Sequence, residues 1–299
     1  MKVKLTRNLR ISILALILCA LTAYVLLDSF MIERAVCTVS NDPEGTENVE
    51  SDDAPVGEVT DAYSDGEMSV VLTQYREYDT DIYVADIRID SPEYLKCALA
   101  HDTYGRNIKE KTSAMAKRVD AIVAVNGDYY GAREGGFVVR NGELYRMVPN
   151  SNLDVLVIYE DGRFETVVGH KTRATELVEN GARHVFSFGP GLISAGEITV
   201  KRGDEVEQSM RSNPRTAIGY IGDGHYVMLV SDGRFDTSEG LSLYQLASFM
   251  KKLGVKEAYN LDGGGSSTMY FKGKIVNRPT TDGKKISERS VSDIVYIGY

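Results

Sequence analysis

Residues 257–269, EAYNLDGGGSSTM, are the most informative stretch of this chain. Residues 257–261, EAYNL, are followed by Asp262, three consecutive glycines and three hydroxyl side chains. Glycine loses much backbone entropy on ordering, and a tight hairpin needs only one or two glycines. Consecutive glycines expose backbone N–H groups and let a ligand approach the chain closely. The stretch therefore predicts a strand, an anion-binding loop beside a carboxylate, and a second strand.

Alternating apolar and polar residues with glycine turns dominate the chain around this loop. They predict hairpins at 136–146, 153–168, 216–234 and 268–277. Helical spacing occurs at 107–119, 172–181 and 242–254, the last two ending in glycine. Strands outnumber helices and do not alternate with them regularly. We therefore expect an α+β fold, a strand-rich single domain over 66–299 with a few helices packed on a mixed or antiparallel sheet.

The N-terminal region differs sharply from this domain. Residues 11–27 carry no charge and follow a basic tip, which predicts a membrane anchor or signal peptide over 1–32. Because the bases precede the apolar run, we expect a single-pass protein with a cytoplasmic N-terminus and an extracellular body, secreted if the segment is cleaved. Residues 33–65 hold ten acids and one base, which predicts a disordered stalk. The net charge of −9 disfavours nucleic acid as a partner.

Three further segments place polar side chains and glycines at predicted strand ends. They are VNGDYYGAREGG (125–136), SFGPGLI (187–193), and the hairpin ends NPRTAIGY (213–220) and VMLVSDGR (227–234). Each also has a structural interpretation as a plain turn. Hairpin register brings Arg215 and Asp232 to the same open end, where they could form an ordinary surface ion pair.

The chemistry available to these segments is narrow. The sequence has no Walker lysine after the glycines, no GxSxG and no CxxC. Carboxylates, arginines and backbone donors remain, which suit an anionic, hydroxyl-rich ligand such as a sugar phosphate or phosphodiester. No cofactor motif is present, although Asp128, Asp232 and Asp262 could together hold a divalent cation such as calcium.

Five segments in this order resemble the phosphodiester glycosidase family: VNGDYY, FGPGLI, NPRTAIGY with VSDGR, NLDGGGSSTMY and ISERSVSDIVYIG. The resemblance covers about residues 95–299. It implies a surface cleft lined by these segments and hydrolysis of a sugar C1–O–phosphate bond, as in N-acetylglucosamine-1-phosphodiesters. The family often has Asn-Gly-Gly where this chain has Asn126-Gly127-Asp128. With the predicted anchor, the expected substrate is a glycosyl phosphate of a bacterial cell-surface polymer or exopolysaccharide.

Roles follow from this resemblance as a hypothesis. Arg215 and Arg289 would bind the phosphate, together with the amides of Gly263, Gly264 and Gly265 and the hydroxyl of Ser266. Asp262 and Asp232 would face the sugar cation as base or nucleophile. Asp128 and Asn126 would bind sugar hydroxyls or supply the second carboxylate. The remaining predicted substrate-binding residues are Gly127, Gly189, Gly191, Thr216, Arg234, Asn260 and Ser267. The alternative function is a non-catalytic surface protein that binds an anionic exopolysaccharide or assists its assembly.

Overall fold

The computed structural model describes residues 54–149, 154–204 and 212–299. The predicted membrane anchor and most of the predicted stalk lie outside these residues. Among the helices of the described ranges, none is long and apolar enough to cross a membrane.

The largest sheet has eight strands, and every neighbouring pair is antiparallel. In spatial order the strands are β1 (Gly57–Ser64), β2 (Met68–Glu77), β3 (Thr80–Ile89), β15 (His225–Ser231), β14 (Thr216–Gly222), β16 (Glu257–Asn260), β12 (Gly191–Ser194) and β13 (Glu197–Ile198).

Two five-stranded antiparallel sheets and a two-stranded ribbon complete the β-structure of the described residues. One sheet has the order β10 (Phe164–Val168), β9 (Asp154–Tyr159), β11 (Ala182–Phe186), β7 (Val138–Arg140) and β8 (Glu143–Arg146). The other has the order β18 (Lys274–Ile275), β17 (Met269–Phe271), β6 (Val123–Asn126), β20 (Asp293–Ile297) and β4 (Leu95–Leu99). The ribbon pairs β19 (Ser290–Val291) with β5 (Glu110–Lys111).

Within the described ranges, three α-helices cover the outer faces of the sheets: α1 (Thr112–Arg118), α2 (Ala174–Glu179) and α3 (Leu243–Lys252). Ser242 begins α3 with a capping box, and the apolar side of this helix packs on the largest sheet. The inner faces of all three sheets share one hydrophobic core, which contains Val230, Val125 and Phe186. The strand-rich α+β prediction is confirmed, and so are the four predicted hairpins.

Strand β1 corrects the predicted stalk. Residues 57–64 form an edge strand paired with β2, with Gly57 opposite Tyr75 and Ser64 opposite Ser69. Most of its side chains are exposed, so its composition is that of a solvated segment. Backbone hydrogen bonds hold it in place, and composition does not report these. The folded domain therefore begins before residue 66.

The strand ends that carry the predicted motifs meet at one edge. Residue 217 pairs with Asn260, and Thr216 pairs with Val230, so β14 begins where β15 and β16 end. In the neighbouring sheet β20 begins where β6 ends, with Ile294 opposite Asn126. The Thr216 hydroxyl donates to Oδ1 of Asn126 at 2.8 Å and joins the two sheets at this point.

Candidate active site

The glycine loop follows β16, and Gly264–Ser266 forms a single 3-10 turn. Two of the three glycines lie against guanidinium groups. A Cβ atom at Gly264 would stand 2.9 Å from Nη2 of Arg234, and one at Gly265 would stand 3.2 Å from Nε of Arg289 and 2.4 Å from Oγ1 of Thr281. At Gly263 the nearest atom is the carbonyl oxygen of Pro214, at 2.8 Å. The absence of side chains therefore lets guanidinium groups reach the loop. The amide of Gly264 donates to the carbonyl oxygen of Pro214 at 2.8 Å, so it is not available to a phosphate, whereas the roles of the other two amides stay predictions.

Asp262 is buried at the start of this loop, with 9% of its surface exposed. Its amide donates to Gly127 O at 3.1 Å, and its Oδ2 has no hydrogen-bond partner among the described residues. Burial raises the pKa of this carboxyl to about 6, against the opposing effects of the neighbouring Ser266 hydroxyl and of the charges on Arg289 and Arg133. A carboxyl with this pKa changes charge near neutral pH, as a catalytic acid or base must.

Arg234 and Arg289 bring two like charges together beside the glycines. Burial and the charge of Arg289 both lower the pKa of Arg234. Nη2 of Arg234 donates to Oδ1 of Asn213 at 2.9 Å, and Nη1 donates to the carbonyl of Thr281. The described residues offer neither arginine a carboxylate ion pair. Arg234 also has a left-handed φ of +66°, a backbone strain that is frequent at functional sites. Two converging cations without a carboxylate suit an anionic ligand.

Arg133 is a further charge near Asp262 that sequence reasoning did not select as a site residue. Its guanidinium lies over the Phe188 ring, 4.5 Å from the centroid, and Nη1 donates to Ser187 O at 3.2 Å. Its position in VNGDYYGAREGG, beside a predicted strand end, was the only signal in the sequence that could have indicated it.

Asp232 has a different partner from the predicted one. Its Oδ1 accepts the amide of Arg278 at 2.7 Å, and its Oδ2 pairs with Nε of Arg278 at 2.8 Å. The backbones of 215 and 231–232 are adjacent as the hairpin register predicts, because the amide of Ser231 donates to Arg215 O at 2.9 Å. The Asp232 side chain is fully buried in this pair, which favours a structural role in place of the predicted base or nucleophile.

Arg215 is itself buried, and its Nε donates to Leu241 O at 2.8 Å. Its side chain therefore has a backbone partner at the edge of the glycine loop. Its predicted role in binding phosphate stays a prediction.

Asp128 belongs to a buried charge cluster. Its Oδ1 pairs with Nη2 of Arg140 at 2.9 Å, and its Oδ2 accepts the amide of Ser187 at 2.8 Å. Nε of Arg140 pairs with Oδ2 of Asp293 at 2.8 Å, and all three side chains are 1% exposed. Burial raises the pKa of Asp293 to about 6. Gly127 is explained by this cluster, since a Cβ there would overlap the Asp293 carboxylate. Asp128 and Gly127 thus belong to a buried cluster that supports the site. This position does not favour the contacts with substrate that the sequence predicted for them.

Asn126 also supports the site from within. Its Oδ1 accepts the Thr216 hydroxyl at 2.8 Å and the Thr268 amide at 3.2 Å, while Nδ2 donates to Asp262 O at 2.6 Å. These bonds, with a longer one to Gly127 O, occupy the side chain. Asn126 and Thr216 therefore position Asp262, which favours a supporting role over their predicted contacts with substrate.

The segment 187–193 has a similar supporting role. Nδ2 of Asn260 donates to Gly189 O at 2.8 Å, and Gly191 pairs with Tyr259 within the largest sheet. The amide of Gly191 donates to Oδ2 of Asp154 at 3.3 Å. These residues fix the strand end beside the glycine loop, which is the structural interpretation that the sequence left open.

The hydroxyl groups after the glycines are buried. Those of Ser267 and Thr268 have no hydrogen-bond partner among the described residues, whereas that of Ser266 lies close enough to Asp262 to favour its ionised form. Buried polar atoms are normally paired, so two unpaired hydroxyls close to Asp262 favour a site for a polar ligand.

The three aspartates do not form a metal site. Asp128 pairs with Arg140 and Asp232 with Arg278, and only Asp262 retains an unpartnered oxygen. Across the described ranges, no group of three His, Cys, Asp or Glu side chains is arranged to hold a metal ion.

Comparisons with known proteins show which sequences and folds this chain resembles. The sequence model of the family described as "Phosphodiester glycosidase" matches residues 120–298. An SPbeta prophage-derived uncharacterized protein, YomE, of Bacillus subtilis is 31% identical over 203 residues, which cover 66% of this chain and 31% of that protein. The N-acetylglucosamine-1-phosphodiester alpha-N-acetylglucosaminidase of Bos taurus is 28% identical over 181 residues, which cover 55% of this chain and 34% of that protein. The chain thus matches about a third of the length of these two relatives.

A solved structure shares the fold. The zebrafish N-acetylglucosamine-1-phosphodiester alpha-N-acetylglucosaminidase catalytic domain, auto-inhibited by its pro-peptide, superimposes with a TM-score of 0.63 at 20% identity. The match covers 82% of this chain and 88% of that one.

Proposed function

Since this chain belongs to the phosphodiester glycosidase family, we propose that it hydrolyses the bond between C1 of a sugar and the phosphate oxygen of a glycosyl phosphodiester. The observation that supports this most directly is Asp262, a buried carboxyl with a pKa of about 6 and an unpartnered oxygen, near Arg289 and the glycine loop. One carboxylate and a pair of cations are the groups that this bond cleavage requires.

The leaving group decides what the protein must supply. Water adds its oxygen to C1 and loses one proton, to Asp262 where this carboxylate is the base, while the C1–O bond breaks and its electron pair leaves with the phosphate as a monoester. A phosphate monoester has a second pKa of about 6, so it departs without a strong general acid. Arg234 and Arg289 hold this phosphate and stabilise the charge that it gains. Their mutual repulsion is relieved as the second negative charge develops.

Asp262 acts in its ionised form at the sugar. Its free Oδ2 faces the positive charge that develops at C1 as the phosphate departs. Asp128 and Asp232 are held by arginines, so Asp262 is the one of the three predicted carboxylates that is free to react. The anomer released first distinguishes two roles, because retention identifies Asp262 as the nucleophile and inversion identifies it as the base.

The natural substrate in this proposal is a glycosyl phosphate of a cell-surface polymer or exopolysaccharide. The proposal rests on the N-terminal sequence, where a basic tip and an uncharged run precede an acidic segment. These features favour a chain anchored in the membrane by its N-terminus with its body outside the cell.

The test uses the full chain purified in mild detergent. It is incubated with UDP-N-acetylglucosamine, UDP-glucose and methyl esters of sugar 1-phosphates, and free reducing sugar is measured. Sugar release that is lost in Asp262→Asn and kept in Asp90→Asn, which changes an exposed acid, supports the glycosidase. If no substrate is cleaved while an anionic polysaccharide binds with measurable affinity, the non-catalytic alternative replaces it.

A further inference from the structure

Arg133 is a cation that the phosphate does not require. It is half-buried, and the described residues give it one hydrogen bond, to Ser187 O at 3.2 Å, and no carboxylate within ion-pair distance. Its neighbour Glu134 is not its partner, because that carboxylate pairs with Arg106 at 2.8 Å. The remaining guanidinium nitrogens of Arg133 are available to a ligand.

Arg163 shows how the same kind of contact occurs elsewhere in the chain. Its guanidinium also lies over an aromatic ring, that of Tyr159, 3.5 Å from the centroid. In this case two carboxylates supply the counter-charge, Asp161 at 3.2 Å and Glu165 at 3.4 Å. A half-buried guanidinium without such partners is poorly compensated for lost water. At Arg133 the missing counter-charge is expected from a ligand.

The position of Arg133 identifies the part of the ligand that it meets. The Asp128 carboxylate accepts the amide of Ser187, whose carbonyl holds Arg133, while the preceding Gly127 accepts the amide of Asp262. Arg133 therefore approaches Asp262 from the loops after β6 and β11. Arg234 and Arg289 approach from the glycine loop. In a glycosyl phosphodiester, C1 lies between the phosphate and the ring substituents. With the phosphate on Arg234 and Arg289 and C1 at Asp262, Arg133 meets the sugar.

We infer that the sugar carries a carboxylate bound by Arg133, so that the substrate is a glycosyl phosphodiester of a uronic acid. A guanidinium presents parallel N–H donors that match a carboxylate in geometry and charge, which a hydroxymethyl group does not. This inference rests on the proposed function and names the substrate class of the same site. Arg133 then determines specificity, and Asp262 and the two other arginines carry out the cleavage.

The test compares sugars that differ only at C6. UDP-glucuronic acid and UDP-glucose, and UDP-galacturonic acid and UDP-galactose, form two matched pairs for the full chain in detergent. In at least one pair we expect kcat/KM for the uronate to exceed that for the neutral sugar by about tenfold or more. Arg133→Gln is expected to bring that ratio close to one, while Arg163→Gln leaves it unchanged.

Binding separates failure of this inference from failure of the proposed function. The affinities of Asp262→Asn for glucuronic acid 1-phosphate, galacturonic acid 1-phosphate and their neutral counterparts are measured by calorimetry. Tighter binding of a uronate that depends on Arg133 supports the inference even if nothing is hydrolysed, and only the proposed function is then lost. If the uronate and the neutral sugar of each pair have equal kcat/KM values and equal affinities, the inference is overturned. An equal loss on both members of each pair in Arg133→Gln also overturns it, because it places Arg133 on the phosphate.

Discussion

Gly264 lies directly against the guanidinium of Arg234, such that a Cβ atom at position 264 would stand 2.9 Å from Nη2. A Cβ atom at position 265 would stand 3.2 Å from Nε of Arg289, and 2.4 Å from Oγ1 of Thr281. The proposed phosphate site thus depends on the lack of side chains in the loop as much as on the arginines themselves.

Gly264→Ala is expected to reduce kcat/KM by about tenfold to a hundredfold, because the new methyl group displaces Arg234. The φ of +61° at Gly264 also strains alanine, by about 1–2 kcal/mol. Gly254→Ala is the matched control, since its φ is +81° and its Cβ would have no neighbour within 4 Å. Steady-state kinetics and urea unfolding are measured on both. Equal losses of activity in the two variants would show that backbone strain, and not the arginine contact, is responsible.

Asp262→Asn is expected to abolish turnover and to stabilise the fold above neutral pH. The folded pKa of about 6 exceeds the ordinary value of 3.8, so the folded chain binds this proton more tightly than the unfolded chain. The wild type therefore loses stability as pH rises from 3.8 to about 6, and the loss is complete above that window. Asparagine does not ionise and so avoids this loss. The free energy of unfolding of the variant is therefore expected to exceed that of the wild type by about 2–3 kcal/mol at high pH. Thermal unfolding should show a higher Tm for the variant at about pH 8 and little difference at about pH 4. A lower Tm at the higher pH would mean that the ionised carboxylate stabilises the fold.

The pH dependence of kcat/KM is expected to report the same carboxyl. If ionised Asp262 faces the sugar cation, kcat/KM is constant above pH 7 and falls about tenfold per unit below a pKa of about 6. The ionised phosphates of these substrates, one in a methyl ester and two in a UDP-sugar, keep their charge across this range, so they do not contribute to the slope. Rates are measured at substrate concentrations far below KM. A rate that increases on acidification would instead assign the reaction to the protonated carboxyl.

Asp232→Asn distinguishes the structural role of Asp232 from the catalytic role that the sequence predicts. The substitution breaks a buried ion pair with Arg278 and is expected to reduce the free energy of unfolding by about 2–4 kcal/mol. Asp232 affects the site only through the loop that carries Arg234, so the folded variant should keep about a tenth or more of the wild-type kcat. Urea unfolding and active-site-normalised kinetics provide both quantities. Complete loss of turnover with normal stability would restore Asp232 to the catalytic group.

Local features of the fold could be predicted because their signals are local. Each hairpin shows alternation around a glycine turn within about twenty residues, and α3 shows its apolar period and its terminal Gly254. Strand β1 escaped prediction because it is held by backbone bonds to β2 while its side chains face water. Asp262 could also be predicted as a site residue from a local signal, because three glycines follow it directly in the sequence.

The partners of the other carboxylates could not be predicted in this way. Asp232 and Arg278 are 46 residues apart, and Arg140 and Asp293 are 153 apart, with no pattern in the sequence that pairs them. The sequence alone shows only that Asp128 and Asp232 lie at the ends of predicted strands. Whether such a carboxylate is free to react depends on which cation the fold brings to it.

The Asn126 side chain links the candidate site to two of the sheets. Its side chain bonds to Thr216 at the start of a strand in one sheet, to Thr268 next to a strand in another, and to the carbonyl of Asp262 between them. A slip of either sheet would therefore break these hydrogen bonds and move the backbone at Asp262. If Asp262 carries the proposed reaction, heat inactivation should therefore coincide with the loss of the hydrogen bonds between the two sheets.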